Sequence, residues 1–190
     1  MLPVKTVLEL IDYAKKNPGK LMNASSSNGS PGHVGGELFK YMTGTDILHV
    51  PYKGGAQAIN DLIGGHVHLM FESLNSISST AKAGNVRALG VSGQRRSAAF
   101  PDLPTIGETV PGYDAGTWSG VISPSGLPKP ILDKLNAAIN RAISVPAFKE
   151  RFGAIGDEPA GGSPEEFAAT IRKDSAKWAD VVNRSGAKLD

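Results

Sequence analysis

The 190-residue sequence contains no cysteine. This absence excludes disulfides, zinc–thiolate centres, iron–sulfur clusters and a cysteine nucleophile, although it leaves the cellular compartment open. No apolar run approaches the ~18 residues that mark a membrane-spanning helix. The opening segment, Met1-Leu2-Pro3-Val4-Lys5, lacks the apolar stretch and the cleavage site of a signal peptide. We therefore expect a soluble chain that carries no export signal of its own.

The sequence also has almost no excess of charge of either sign, and it has few aromatic side chains. The 20 Lys and Arg residues nearly balance the 18 Asp and Glu residues, and aromatic residues make up 6% of the chain. Nucleic-acid-binding proteins typically carry basic patches and base-stacking aromatic side chains, so the composition argues against a nucleic-acid partner. The chain is rich in glycine, with 23 residues, and 40% of it is hydrophobic. Periodic apolar segments of this kind indicate a folded chain with many turns rather than a disordered one.

Helices and strands alternate over the first two-thirds of the chain. A capping box from Thr6 to Glu9 predicts one helix start, and Ser30-Pro31 predicts another. Strands are predicted at residues 21–24, 47–50, 67–71 and 86–91, with helices between them. This order predicts an α/β fold with a mostly parallel sheet. Loops that follow parallel strands lie along one sheet edge, where ligands of such folds bind.

The last third of the chain has a different pattern. Residues 94–112 are rich in turns, and residues 115–123 are predicted to form one more strand. An amphipathic helix is predicted at residues 129–145, and a short helix at residues 146–155. A second capping box, Ser163-Pro164-Glu165-Glu166, predicts the start of a final helix.

Two loops at the predicted sheet edge suit an anion. Residues 25–30, Ser-Ser-Ser-Asn-Gly-Ser, lie between a strand and a capped helix, where N–H groups and hydroxyls converge. Residues 50–56 repeat the arrangement with the pair Gly54-Gly55, which allows close approach to the backbone. Each loop alone fits an ordinary turn equally well. Two of them at one edge favour an acidic small molecule.

The sequence contains no complete enzyme motif and no metal-binding motif. Residues 116–120 read G-x-x-S-G, which is not a nucleophile elbow, and S-x-x-K at residues 79–82 lacks its companion motifs. His66 and His68 share one strand face without a carboxylate at ligand spacing. No catalytic residue, metal or cofactor is predicted. Glu72 is the single acid at the predicted cleft edge, and it fits either a contact with a ligand amine or hydroxyl or a surface position.

Ordered matches to a known family run nearly end to end. They include the segments at residues 17–21, 25–33, 49–55, 61–65, 101–106, 124–128 and 164–167. On these residues the chain resembles the Bug family, the TctC-like extracytoplasmic receptors of tripartite tricarboxylate transporters. The family's opening segment has no counterpart here, so the chain resembles an N-terminally truncated member.

The resemblance implies a two-lobed fold like that of type II periplasmic binding proteins. Residues 1–115 would form one complete βαβ lobe, which binds the ligand. Residues 116–190 would supply a hinge-crossing strand and the C-terminal helices of the other, incomplete lobe. The implied function is periplasmic binding of a small organic carboxylate, either a di- or tricarboxylate or an amino acid, and its delivery to the transporter's membrane subunits. Neither catalysis nor a cofactor is implied.

Position by position, the resemblance also implies the ligand-binding residues. They are Ser26, Ser27, Asn28, Gly29, Ser30, His33, Gly54, Gly55, Ala56 and Glu72. Ser27 stands where the family commonly has glycine, and Glu72 stands where it usually has aspartate. With one lobe incomplete we expect impaired, weak binding.

Several apolar side chains of the last third would lose their usual partners. They are Ile131, Leu135, Ile139, Phe167, Ile171 and Trp178. Exposed patches of this kind favour association, so we expect a homodimer, a swapped assembly, or helices repacked onto the remaining lobe. Two alternatives stay open at this point. One is an α/β hydrolytic enzyme that uses the serine-rich loop with His33 nearby, and the other is a non-binding assembly module.

Overall fold

The computed structural model describes residues 2–187, and residue 1 and residues 188–190 lie outside the described part. Three strands and seven α-helices follow one another along these residues. In chain order they are α1 Val7–Lys16, β1 Leu21–Ser25, α2 Pro31–Thr43, β2 Ile47–Pro51, α3 Gly55–Gly64, β3 Leu69–Met70, α4 Leu74–Lys82, α5 Lys129–Ser144, α6 Pro146–Gly153 and α7 Pro164–Ser185, with a short 3-10 turn at Ile106–Glu108 before α5.

The helix starts follow the predicted capping residues. The Thr6 side chain accepts a hydrogen bond from the Glu9 amide, and Ser30 caps α2 in the same way with Pro31 in the first turn. Ser163 forms a reciprocal capping box with Glu166 at the start of α7. Each cap satisfies a backbone N–H that the helix itself leaves unpaired.

The three strands form a parallel sheet in the order β2-β1-β3. The predicted α/β class is therefore confirmed. Because all three strands run the same way, their carboxyl ends meet at one edge. The loops at residues 26–30, 52–54 and 71–73 leave that edge, and each of them enters a helix.

Two predicted strands are wrong. Residues 86–90 are unpaired among the described residues, and only Val91 forms an isolated bridge, with Thr105. Residues 115–123 form no strand, and Val121 and Ile122 are 73% and 80% exposed. An apolar alternating pattern becomes a strand only when a neighbouring strand supplies hydrogen-bond partners. The predicted strand at 67–71 shortens to Leu69–Met70, where β1 supplies those partners.

Helices cover both faces of the sheet. Successive side chains of β1 point to opposite faces, so Leu21 joins the main core with Phe39 and Ile47, whereas Ala24 packs with Ala58 and Val67 in a second cluster. Burial of a parallel sheet on both faces is typical of α/β proteins. Asn23 and Ser25 also lie buried on the strand, which brings polar groups under the loop that follows.

The C-terminal helices divide into a packed part and an exposed part. Helix α7 packs on α2, with Trp178 against the main core and Val181 buried. Helix α5 instead contains no buried residue. Its apolar residues Ile131, Leu135 and Ile139 are 48%, 48% and 36% exposed.

Two other side chains that are expected to lose their partners, Phe167 and Ile171, are partly buried. Phe167 is half-buried, and its ring centroid lies 5.0 Å from that of Trp118 in an edge-to-face arrangement. Ile171 is also half-buried. Within residues 2–187 no helix combines the length and the hydropathy needed to cross a membrane.

Candidate functional site

Three helices begin at the carboxyl edge of the sheet. Helix α2 follows β1, α3 follows β2, and α4 follows β3. The first turn of each helix presents backbone N–H groups and the positive end of its dipole. Ser30 caps α2 with its side chain, whereas Gly54 and Ser73, the N-caps of α3 and α4, provide no side-chain cap bond. This edge therefore offers donors and positive potential to an anion.

The first loop is held in shape from within. The Ser27 carbonyl accepts hydrogen bonds from Ser25 Oγ at 2.9 Å and from Ser30 Oγ at 2.7 Å. The Gly29 amide donates to His33 Nδ1 at 3.0 Å. These bonds fix both sides of the turn between β1 and α2.

The predicted residues of this loop differ in accessibility. Ser27, Asn28 and Gly29 are exposed at the tip, Ser26 is half-buried, and Ser30 is buried beneath them. The tip is thus presented to solvent while its base is fixed.

The second loop is bonded to the first. The Tyr52 amide donates to the Ser25 carbonyl at 2.9 Å, and the Gly54 amide donates to the Ser26 carbonyl at 3.0 Å. Gly54 has a φ of 136°, which side-chain-bearing residues rarely adopt. The start of α3, with Gly55 and Ala56, is therefore held beside Ser26.

Glu72 connects the third loop to the second. A methyl group added at Gly55 would lie 3.5 Å from Glu72 Oε2. The other carboxylate oxygen of Glu72 accepts hydrogen bonds from the Ser73 amide at 2.9 Å and from the Ser73 hydroxyl at 3.0 Å. The structure thus brings residues 26–30, the start of α3 and Glu72 together at one edge of the sheet.

His33 lies beneath this edge rather than on its surface. Its side chain is 3% exposed, and its ring stacks on that of His49 with 3.8 Å between centroids and 9° between planes. Its Nε2 lies 4.0 Å from Glu37 Oε1. The Glu37 carboxylate is in turn held by Lys40 Nζ at 2.8 Å.

Sequence reasoning missed the polar partners of His33. Ser25 Oγ and His49 Nε2 lie 2.7 Å apart, and Ser25 is completely buried. The spacing of His33 and Glu37, four residues apart on a helix, signals a shared face. Nothing local signals that His49 stacks on His33, because that contact depends on how β2 pairs with β1.

Burial keeps both histidines neutral near pH 7. It is the main cause that lowers the pKa of His33, while Glu37 acts in the opposite direction and Lys40 reinforces the decrease. Burial also lowers the pKa of His49 to about 4, followed by the influence of the neighbouring His33. The two stacked rings therefore carry no charge at neutral pH.

The serines are not placed as nucleophiles. Ser25 pairs with His49, but it is fully buried and its hydroxyl donates to the Ser27 carbonyl. The Ser30 hydroxyl donates to the same carbonyl. Both protons thus serve the loop rather than a general base.

No metal cluster competes with this edge in the part of the chain that the structure describes, and one surface depression elsewhere is poorly suited to an anion. Residues 2–187 contain no group of three or more metal-ligating side chains, and His68 Nδ1 accepts the Met22 amide at 3.1 Å. A surface depression of about 330 Å³ is lined by Glu108 and Asp114 among others. Those carboxylates already pair with Arg96 and Lys177, and their charge disfavours an anionic ligand.

Comparison with known proteins identifies relatives over nearly the whole chain. The model of the tripartite tricarboxylate transporter family receptor, TctC, matches residues 1–187. BugT of Bordetella pertussis is 36% identical over 181 residues, covering 95% of this chain and 56% of BugT. The chain therefore spans little more than half the length of the curated relatives it matches.

Solved structures agree in fold. The structure of R. palustris Rpa4515 with adipate is 38% identical, with a TM-score of 0.92, and the match covers 97% of this chain and 62% of that one. MatC from Rhodopseudomonas palustris with bound malate is 29% identical, with a TM-score of 0.81, over 95% of this chain and 63% of MatC.

These matches confirm the family resemblance and the periplasmic-binding-protein type of fold. The family and its structural neighbours are solute-binding receptors rather than enzymes, which argues against the hydrolase interpretation. The chain belongs to the family of tripartite tricarboxylate transporter receptors, which includes the Bug proteins.

Proposed function

We propose that this chain binds a small organic carboxylate, either a di- or tricarboxylate or an amino acid, at the carboxyl edge of its sheet. The observation that carries the proposal is the convergence of three helix starts, α2, α3 and α4, at that edge. Two of these starts lack a side-chain cap among the described residues. Similar proteins carry adipate or malate in their structures, which supports the same ligand class here.

Each predicted residue has a physical role in this proposal. Ser26, Ser27 and Asn28 supply polar side chains and backbone N–H groups at the tip of the first loop, while Gly29 and Ser30 hold its shape through the bonds to His33 and to the Ser27 carbonyl. Gly55 and Ala56 supply N–H groups from the start of α3, and Gly54, whose own amide is bonded to the Ser26 carbonyl, has no side chain to block close approach. Glu72 selects ligands that carry an amine or hydroxyl near the bound carboxylate. His33 contributes from below by holding the Gly29 amide.

We further propose that residues 1–115 act as the ligand-binding lobe and that residues 116–190 belong to the other lobe of a periplasmic receptor. Such receptors enclose most of the ligand surface between two lobes. The described residues supply one face of such a cleft, so we expect these residues alone to bind with low affinity. Delivery to the membrane subunits of a transporter is the corresponding role of the whole receptor.

Association with a second copy is a separate proposal. Helix α5 exposes Ile131, Leu135 and Ile139, and the preceding segment exposes Val121 and Ile122. Neighbouring apolar side chains on a surface favour self-association. Light scattering across a concentration series tests this, and a monomeric mass at every concentration would reject it.

Titration calorimetry with adipate and malate tests the ligand proposal. The control ligand is the neutral diol with the same carbon chain as adipate, which lacks carboxylates. We expect weak, saturable heat from the dicarboxylates and none from the diol. Equal heats from diol and dicarboxylate, or binding that persists unchanged in a Gly55→Val variant with intact folding, would reject a backbone carboxylate site.

A further inference from the structure

Residues 27–29, the tip of the first loop, are held by groups that lie beneath them. On one side the Ser27 carbonyl accepts the Ser25 hydroxyl, and Ser25 in turn contacts His49. On the other side the Gly29 amide donates to His33. The two histidine rings are stacked on each other. The four side chains of Ser25, His33, Glu37 and His49 therefore form one connected polar cluster under the loop.

Counting protons fixes the tautomer of His49. A serine hydroxyl has a single proton to donate, and that of Ser25 is donated to the Ser27 carbonyl at 2.9 Å. The imidazole must therefore be the donor in the hydrogen bond between His49 Nε2 and Ser25 Oγ, which are 2.7 Å apart. His49 carries its proton on Nε2 and leaves Nδ1 unprotonated.

The same count fixes the tautomer of His33. Its Nδ1 accepts the Gly29 amide at 3.0 Å, so Nδ1 is unprotonated and the ring proton sits on Nε2. That nitrogen lies 4.0 Å from Glu37 Oε1, too far for a hydrogen bond. Both rings thus have a defined neutral form in which every bond to the loop is made.

We infer that Ser25, His33 and His49 are positioning residues, which hold the tip of the binding loop in the shape that meets the ligand as long as both imidazoles are neutral. The inference rests on the proposed carboxylate site and deepens it. None of the three side chains needs to touch the ligand, because each acts through the Ser27 carbonyl or the Gly29 amide.

Protonation is the natural perturbation of this cluster. A proton added to His33 goes to Nδ1. That nitrogen can then no longer accept the Gly29 N–H, so the hydrogen bond between them is lost. A proton added to His49 leaves its bond to Ser25 intact but places charge against the stacked ring of His33. The other charged groups near the pair are Glu37 and Lys40 on α2, and they are already paired with each other.

The first test needs no ligand. Nuclear magnetic resonance follows the Gly29 amide and the imidazole protons through an acid titration of the full chain. We expect the Gly29 signal to move with the same midpoint as the His33 ring, and its hydrogen exchange, corrected for intrinsic rates, to become about threefold to tenfold less protected, as loss of one hydrogen bond implies. Titration of His33 without any response at Gly29 would overturn the inference.

Variants separate positioning from packing. His33→Phe keeps the stack and removes the acceptor, whereas His33→Asn places an oxygen near the former Nδ1 that accepts but does not titrate. We expect His33→Phe to lose Gly29 protection at neutral pH and His33→Asn to retain it with a flat pH profile. His66→Gln, at an exposed histidine, is the control and should leave the profile unchanged. If His33→Phe does not fold, the titration of the unaltered chain still tests whether His33 holds the Gly29 amide.

The second test adds adipate at neutral and at acidic pH. With both proposals correct, adipate binds the unaltered chain at neutral pH, and its affinity falls at the pH where Gly29 responds. In His33→Asn the affinity falls less over that range, because only protonation of His49 and of adipate itself remains. Absence of adipate binding combined with an intact Gly29 response would reject the ligand proposal alone. Binding that keeps its neutral-pH strength after the Gly29 bond has opened would reject the positioning role alone.

Discussion

Replacing Gly32 by alanine tests how closely α2 must approach the sheet. Gly32 lies in the first turn of α2, immediately after the loop at residues 26–30. A Cβ placed there would lie 2.3 Å from the Phe71 carbonyl oxygen and 3.7 Å from Ser25 Cβ. Atoms cannot approach to 2.3 Å without bonding, so the start of α2 or the end of β3 must move by about an ångström.

The energetic cost follows from two opposing effects. Overpacking of this kind costs about 1–3 kcal/mol, while alanine in place of glycine within a helix contributes about 0.5–1 kcal/mol in the other direction. A net loss of about 1–2 kcal/mol corresponds to a decrease in Tm of about 2–8 °C for a chain of this size. Carboxylate binding should weaken as well, since the displaced turn carries the donors of the first loop.

Thermal and urea unfolding measure this loss against a matched variant. Gly153→Ala also lies in a helix, but a Cβ there meets nothing within 4 Å, so it should be neutral or slightly stabilising. A Gly32→Ala variant as stable as Gly153→Ala would refute the close approach of α2 to Phe71 and with it the geometry of the site.

Three more predictions address protonation, the second loop and the exposed helix. Because the pKa of His49 falls from 6.5 to about 4 on folding, the unfolded chain takes up the proton first as the pH decreases. Stability should therefore be full above about pH 6.5 and decline towards pH 4, by about 1–2 kcal/mol once solvent screening of this half-buried side chain is allowed for; equal urea midpoints at both ends of that range would contradict this. Gly55→Ala places a methyl group 3.5 Å from Glu72 Oε2, an ordinary contact, so unfolding should change by less than about 1 kcal/mol while calorimetry shows weaker adipate binding; unchanged binding would count against the second loop. Replacing Leu135 and Ile139 by glutamate should abolish any concentration-dependent mass without loss of stability, because both side chains are exposed, and a drop in Tm would show that they are packed.

Features encoded over a few residues could be predicted from the sequence. The capping residues Thr6, Ser30 and Ser163 mark helix starts because their side chains bond to amides three residues away. The loops at residues 26–30 and 52–54 could be placed at one edge because connections between parallel strands follow a fixed rule.

Features that depend on partners distant in the chain could not be predicted from the sequence. The segments at residues 86–91 and 115–123 have strand-like patterns, yet a strand requires a neighbour that the local sequence does not specify. His49 looked like an ordinary strand residue, although its partner Ser25 lies 24 residues earlier in the chain. The apolar stripe of α5 by itself predicts a buried face. Its exposure is expected only from the family resemblance, and the structure shows it.

The most direct test of the central claim is a map of backbone amide shifts during an adipate titration of this chain. We predict that the resonances of the amides of residues 26–30, residues 54–56 and Ser73 move together and saturate with one affinity, while the diol leaves them unchanged. Shifts confined to α5 or to the depression beside Glu108, or no shifts at all, would contradict a carboxylate site built from three helix starts.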